Sequence, residues 1–154
     1  MKTVDGTTGA VTTSITGGCL CRAVRFEFNA EPVATRLCWC RLCQKIAAGN
    51  ATVNVCFPAA ALRLQGELRD YVCVADSGNR MHRRFCPQCG VHLFSEAEAR
   101  PSLMFVRGGT LDDPSIVRPT ATIWISSAPD WACIDESLEQ FEGQPPPTAL
   151  RERP

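Results

Sequence analysis

Apolar and polar residues alternate in short runs along most of the chain. Val24, Phe26 and Phe28 alternate with Arg25 and Glu27, the period of a strand with one face buried. Val53, Val55 and Phe57 repeat the pattern, with Thr52, Asn54 and Cys56 on the opposite face. Further strands are predicted over 69–74, 80–85, 91–94, 103–107 and 122–126. Turn residues separate them: Gly66, Asp76-Ser77-Gly78-Asn79, Gly108-Gly109 and Asp113-Pro114. Many short strands with frequent turns predict an all-β sandwich or open barrel. Residues 41–48 break the pattern and predict a short helix, with Gly49 as its C-terminal cap. The Thr- and Gly-rich segment 1–16 reads as a flexible lead-in. The segment 144–154, with Pro145-Pro146-Pro147, reads as an extended and poorly ordered tail. Between them lies one domain over 17–143, without an internal repeat.

Composition narrows the function. The chain has 154 residues, 45% hydrophobic and 21% charged, which suits one globular domain. Lysine plus arginine equals aspartate plus glutamate at 16 each. That balance argues against gripping nucleic acid by its phosphates, which calls for a basic excess. No apolar run approaches the ~20 residues that cross a bilayer, and the first residues lack the apolar stretch of a signal peptide. A cytoplasmic protein is expected, with neither nucleic acid nor membrane as partner.

The chain has ten cysteines. Cytosolic thiols stay reduced, so metal binding is favoured over disulfides. Seven of them fall into tight groups: Cys19-Leu20-Cys21, Cys38-Trp39-Cys40-Arg41-Leu42-Cys43 and Cys86-Pro87-Gln88-Cys89. Zinc takes four tetrahedral ligands and favours thiolates. Cys19 and Cys21 with Cys86 and Cys89 make a closed set of four, expected to be structural. Cys38, Cys40 and Cys43 make a set of three at the start of the predicted helix. A three-ligand zinc keeps one position for chemistry. Two zinc ions per chain follow, although one zinc site plus reduced core thiols is the alternative. Cys56, Cys73 and Cys133 stand apart in apolar surroundings and read as buried small hydrophobes.

At these residues the chain resembles the glutathione-dependent formaldehyde-activating enzyme family, also called the CENP-V/GFA domain. The resemblance covers about 17–143. It rests on Gly18-Cys19-Leu20-Cys21-Arg22-Ala23-Val24-Arg25-Phe26 and on Cys38-Trp39-Cys40-Arg41-Leu42-Cys43-Gln44-Lys45. It continues with Arg84-Phe85-Cys86-Pro87-Gln88-Cys89-Gly90-Val91-His92-Leu93-Phe94, then Gly109-Thr110-Leu111-Asp112-Asp113-Pro114. It ends with Ile123-Trp124-Ile125-Ser126-Ser127-Ala128-Pro129-Asp130-Trp131. The resemblance implies a mainly β, Mss4-like fold of short antiparallel strands stapled by zinc, with one short helix. It implies structural ligands Cys19, Cys21, Cys86 and Cys89, and catalytic zinc ligands Cys38, Cys40 and Cys43. It also implies a carbon–sulfur lyase that equilibrates glutathione and formaldehyde with S-hydroxymethylglutathione. The expected partners are therefore a small-molecule thiol and an aldehyde. Two positions depart from the family: Trp39 stands where His is frequent, and Ala47-Ala48 where a small polar residue is frequent.

The rival class is a non-catalytic zinc-stapled scaffold, since fold does not fix function. Remaining polar residues carry weaker signals. His82 and His92 read as satisfied histidines rather than bases. Arg41, Arg83 and Arg84 are candidates for carboxylate pairing, or else part of a solvated face. Asp112 and Asp113 read as a turn, and Trp124 and Trp131 as pocket wall or core.

Overall fold

The structure is a computed structural model in which residues 14–146 are described. Among the described residues there are eleven strands. They are β1 (Ile15–Gly18), β2 (Arg25–Phe28), β3 (Ala34–Cys38), β4 (Thr52–Pro58), β5 (Leu62–Gln65) and β6 (Arg69–Val74). Then follow β7 (Arg80–Phe85), β8 (His92–Ala97), β9 (Leu103–Arg107), β10 (Ala121–Ile123) and β11 (Glu139–Phe141). The helix α1 (Arg41–Ile46) stands between β3 and β4. A three-stranded sheet has the order β1-β2-β5, and an eight-stranded sheet the order β11-β10-β3-β4-β9-β8-β7-β6. The expected mainly β architecture with one short helix is what the structure shows. Not every pairing is antiparallel, because β10 runs parallel to both β3 and β11.

The two sheets enclose the apolar core. Phe26 and Phe28 point from β2 toward Val55, Phe57, Phe94 and Val106 of the large sheet. Phe28 stacks on Phe57 with centroids 4.3 Å apart, and Phe26 meets Phe94 edge-on at 5.1 Å. Gly17 lies opposite Phe26 in the β1–β2 register, where a Cβ would overlap the Phe26 ring and the Thr110 carbonyl. The ring covers the glycine, which is why so short a strand holds its place.

The other face of the large sheet departs from the simple alternation. β4 was expected to be half-buried, yet Thr52 on its second face is 3% exposed, nearly as enclosed as Cys56 at 1%. That face lines a cavity whose walls include the β6–β7 turn and residues Trp124 and Gln144. Its polar character made it look solvent-facing in the sequence.

Element ends also shift. α1 stops at Ile46, not 48, because Ala48 (φ 56°) and Gly49 (φ 110°) turn left-handed and Gly49 N–H closes on Gln44 O at 2.7 Å. The strand expected over 122–126 ends at Ile123, since Trp124 also has positive φ (60°). The strand expected over 91–94 covers His92–Ala97 instead. Ile15 and Thr16, read as lead-in, belong to β1. The rest of that lead-in, 1–13, lies outside the described residues, as does 147–154 of the tail. The chain just before and inside that tail is held. Trp124 N–H donates to Gly143 O and Ser126 N–H to Glu142 O, both at 3.3 Å, and Pro145 is buried. Among the described residues no helix is long and apolar enough to cross a membrane.

Candidate metal centres and active-site cavity

The turn after β1 carries Cys19 and Cys21, and the turn after β7 carries Cys86 and Cys89. Their sulfurs all lie within 4.8 Å of one another. Cys19 Sγ and Cys21 Sγ are 3.5 Å apart, and Cys21 Sγ and Cys86 Sγ 3.7 Å. A tetrahedral site with Zn–S near 2.3 Å needs sulfurs about 3.8 Å apart, so this set fits a metal ion. Backbone geometry aims the thiols. Arg22 takes positive φ (65°) as the first turn closes from Arg22 N–H to Cys19 O. Gly90 (φ 72°) closes the second, donating to Cys86 O at 2.9 Å. Val24 N–H donates to Cys19 Sγ at 3.2 Å. The backbone N–H groups of Val91 and then Cys21 bring the Cys89 thiol down to about 6, favouring the thiolate a metal requires.

The second set sits where β3 passes into α1. Cys38 ends the strand, Cys40 caps the helix and Cys43 lies in its first turn. Cys43 N–H donates to Cys40 Sγ at 3.4 Å. Each of the three is 5% exposed, and their sulfurs lie within 4.8 Å of one another. Among the described residues no fourth cysteine, histidine or carboxylate joins them. Gln44 anchors the turn, its amide donating to Trp39 O at 2.7 Å and to Ser127 O at 2.8 Å. Hydrogen bonds from Cys38 and Cys40, with Arg107 adding to them, lower the Cys43 thiol to about 2. Sharing with Cys40 and Cys43, and burial after it, pushes Cys38 up. The donor set and its spacing fit a soft divalent metal.

These thiols form one wall of a cavity of about 110 Å³ on the sheet face opposite the core. Arg36, Arg83, Arg100 and Arg107 contribute to the other walls. Burial lowers Arg107 to about 10 while Cys43 pulls the other way, so it stays charged at neutral pH. Its Nε donates to His92 Nδ1 at 3.0 Å. Burial, then Arg107 and Arg83, hold His92 near 3 and therefore neutral. The bond at Nδ1 leaves the proton on Nε2, which is buried without a partner among the described residues. His92 is thus a support for Arg107, not a base.

The other candidates fall into place. His82, on β7, pairs with Asp70 of β6 and with Glu98 just after β8, outside the cavity. Arg41 turns to Gln44 and Arg84 to Glu96, leaving Arg83 as the one of the three that lines the cavity. Asp113 caps a 3-10 turn, while Asp112 pairs with Arg25. Trp124 lines the cavity, whereas Trp131 is 68% exposed and meets Trp39 edge-on at 6.1 Å. Cys56 is buried as expected. Cys73 is half-buried and Cys133 exposed, because Cys133 lies in an irregular segment rather than a strand. Ser95, Arg36 and Arg107 were missed by the sequence reading.

The profile of the glutathione-dependent formaldehyde-activating enzyme family matches residues 14–127, and the chain belongs to that family. A crystal structure of a Rhodobacter sphaeroides protein is similar, with TM-score 0.52 and 22% identity. The match covers 68% of this chain and 91% of that one, and bears on the fold.

Proposed function

We propose that the protein is a zinc-dependent carbon–sulfur lyase that adds a small thiol to a small aldehyde and reverses the addition. Glutathione and formaldehyde are the pair that the family points to. The supporting observation is the cluster of three buried thiols on a cavity wall with no fourth protein ligand beside them among the described residues. In this reading Cys19, Cys21, Cys86 and Cys89 hold a structural zinc, and Cys38, Cys40 and Cys43 a catalytic one. Zinc held by Cys38, Cys40 and Cys43 would supply an open coordination position and would favour the thiolate form of a thiol.

The chain's own residues do the rest. Cys38, Cys40 and Cys43 are fixed by the end of β3 and the first turn of α1, and Gln44 locks that turn. Arg107 offsets the net negative charge of three thiolates around one divalent ion. The three thiols and Arg107 are themselves almost fully buried, which strengthens the interaction between their charges. In the addition a C–S bond forms, the carbonyl π bond breaks, and the proton lost by the thiol ends on the former carbonyl oxygen.

The uncatalysed addition is fast, so exchange is the quantity to measure. Magnetisation-transfer NMR on glutathione, formaldehyde and their adduct should show faster exchange with the wild-type protein and none of that acceleration with Cys40→Ser. Equal exchange in wild type, variant and buffer would reject the pair. Failure of any thiol to bind would leave the zinc-stapled scaffold as the reading.

A further inference from the structure

The register of the large sheet brings a second chemistry to the face that carries Cys38. Arg36, Asn54 and Arg107 form one row across β3, β4 and β9. Ser95 and Arg83 stand side by side on the next row, joined to it through Phe105. Arg83 and Arg107 are 7% and 8% exposed. Both guanidiniums donate to one oxygen: Arg107 Nη2 to Ser95 Oγ at 2.5 Å and Arg83 Nη1 at 3.3 Å. Their Nε atoms also go to partners other than carboxylates, Arg83 to Cys73 Sγ at 3.3 Å and Arg107 to His92 Nδ1 at 3.0 Å.

Among the described residues neither arginine forms an ion pair with a carboxylate. Asp76, the carboxylate that lines the same cavity, is engaged by the Arg41 N–H at 3.1 Å. Two buried like charges bridged by a neutral serine are costly without a counter-charge. Arg107 has one in the thiol cluster, which acts on it through Cys43, Cys38 and Cys40. Arg83 donates to Cys73 and Ser95, and among the described residues no carboxylate pairs with it. Ser95 Oγ uses both acceptor positions on the guanidiniums, so its hydroxyl proton remains to donate. Guanidinium N–H groups with a hydroxyl between them suit the two oxygens of a carboxylate. The cavity of about 110 Å³ is well below the roughly 300–1,000 Å³ of sites enclosing drug-sized ligands. What it encloses is compact.

We propose that Arg83, Ser95 and Arg107 form a carboxylate subsite, and that this cavity takes a compact acid as one of its two reactants in preference to the pair glutathione and formaldehyde. The carboxylate is carried either by the carbonyl partner, as in a small 2-oxo acid, or by the thiol, as in a small mercapto acid. The identity of the reacting group rests on the thiol-addition reading above; the carboxylate rests on the buried cations alone.

Calorimetric titration of the metal-loaded protein tests the subsite without turnover. The ligands are glyoxylate and mercaptoacetate, with glycolaldehyde and 2-mercaptoethanol as their neutral counterparts. At least one acid should bind about tenfold or more tighter than its counterpart. That advantage should fall about tenfold in Arg83→Gln and return in part in Arg83→Lys. An advantage confined to glyoxylate places the carboxylate on the carbonyl partner; one confined to mercaptoacetate places it on the thiol. Equal affinities for acids and neutral ligands, or an advantage unchanged in Arg83→Gln, overturns the subsite even where thiol–aldehyde exchange is catalysed. An acid advantage that depends on Arg83 supports it even where no exchange is catalysed, which separates the two readings. Melting curves check that Arg83→Gln is folded. If it is not, the arginine Nε–H resonances of the wild type are followed during glyoxylate and mercaptoacetate titration. Resonances that move with saturation support the subsite, and resonances that stay put overturn it.

Discussion

The Gln44 side chain donates to two backbone carbonyls, those of Trp39 and Ser127, and so ties the cysteine turn to the segment after β10. Gln44→Ala would leave both acceptors short of a partner in a site that is 4% exposed. Each buried group left unpaired costs about 1–3 kcal/mol. We therefore expect the variant to lose about 2–4 kcal/mol in chemical denaturation. An unchanged denaturation midpoint would mean that the turn is held by the cysteines alone. At this scale the thiols were legible, because Cys-x-Cys and Cys-x-x-Cys spacing is a property of the backbone and needs no tertiary information. The arginines were not. Arg107 shares the parity of Phe105, opposite Met104 and Val106, so the alternation of β9 assigns it to solvent. Only the walls built by distant segments make that face an interior. Arg83 drew notice from its position among charges, but nothing local distinguished it from Arg84, which points the other way.

Strands with a clean period of two, such as β2, were readable, and those buried on both faces or rich in glycine were not. β3 carries Thr35 and Arg36 buried side by side, so no alternation survives. β1 holds only Ile15 as a large apolar residue and depends on partners far along the chain. One of these partners is Asp112, read as a turn residue. It accepts from Thr16 Oγ1 at 2.7 Å and pairs with Arg25 of β2, joining the small sheet to the loop after β9. The Arg25 hydrogen bond, with Thr16 after it, lowers the Asp112 carboxyl to about 2. Its folded-state value is below the unfolded one. The stability it contributes is therefore full above about pH 4 and is lost as pH falls from there through about pH 2. The side chains are 33% and 45% exposed, so solvent screening leaves about 1 kcal/mol or less. Acid titration of stability should be shallower by that amount in Asp112→Asn than in wild type. Metal loss in acid acts on both proteins alike, so the difference between them isolates this pair. Parallel curves would show that the pair contributes nothing.

The two cysteine sets differ in what they connect across the whole molecule. Cys19 and Cys21 follow β1 of the three-stranded sheet, whereas Cys86 and Cys89 follow β7 of the eight-stranded one. A metal held by all four ties one sheet to the other at the edge of the apolar core, where Cys19 and Cys86 are themselves buried. Cys38, Cys40 and Cys43 come from six consecutive positions and connect only β3 to α1. Loss of metal from the first set releases contacts between segments far apart in the chain, while loss from the second loosens one turn. Structural zinc sites contribute roughly 10–16 kcal/mol in zinc-finger peptides, comparable to the whole ~5–15 kcal/mol stability of a domain. We expect wild-type protein supplied with zinc to carry two ions by elemental analysis. Cys86→Ser should unfold or melt far below wild type and lose its structural ion. Cys40→Ser should keep a cooperative melt and retain one ion. A chelator added in steps should first remove the metal held by three ligands, with little change in circular dichroism, and only then unfold the protein. Unfolding that tracks removal of the first ion, or a Cys40→Ser protein as unstable as Cys86→Ser, would show that both sets hold the fold and that neither is reserved for chemistry.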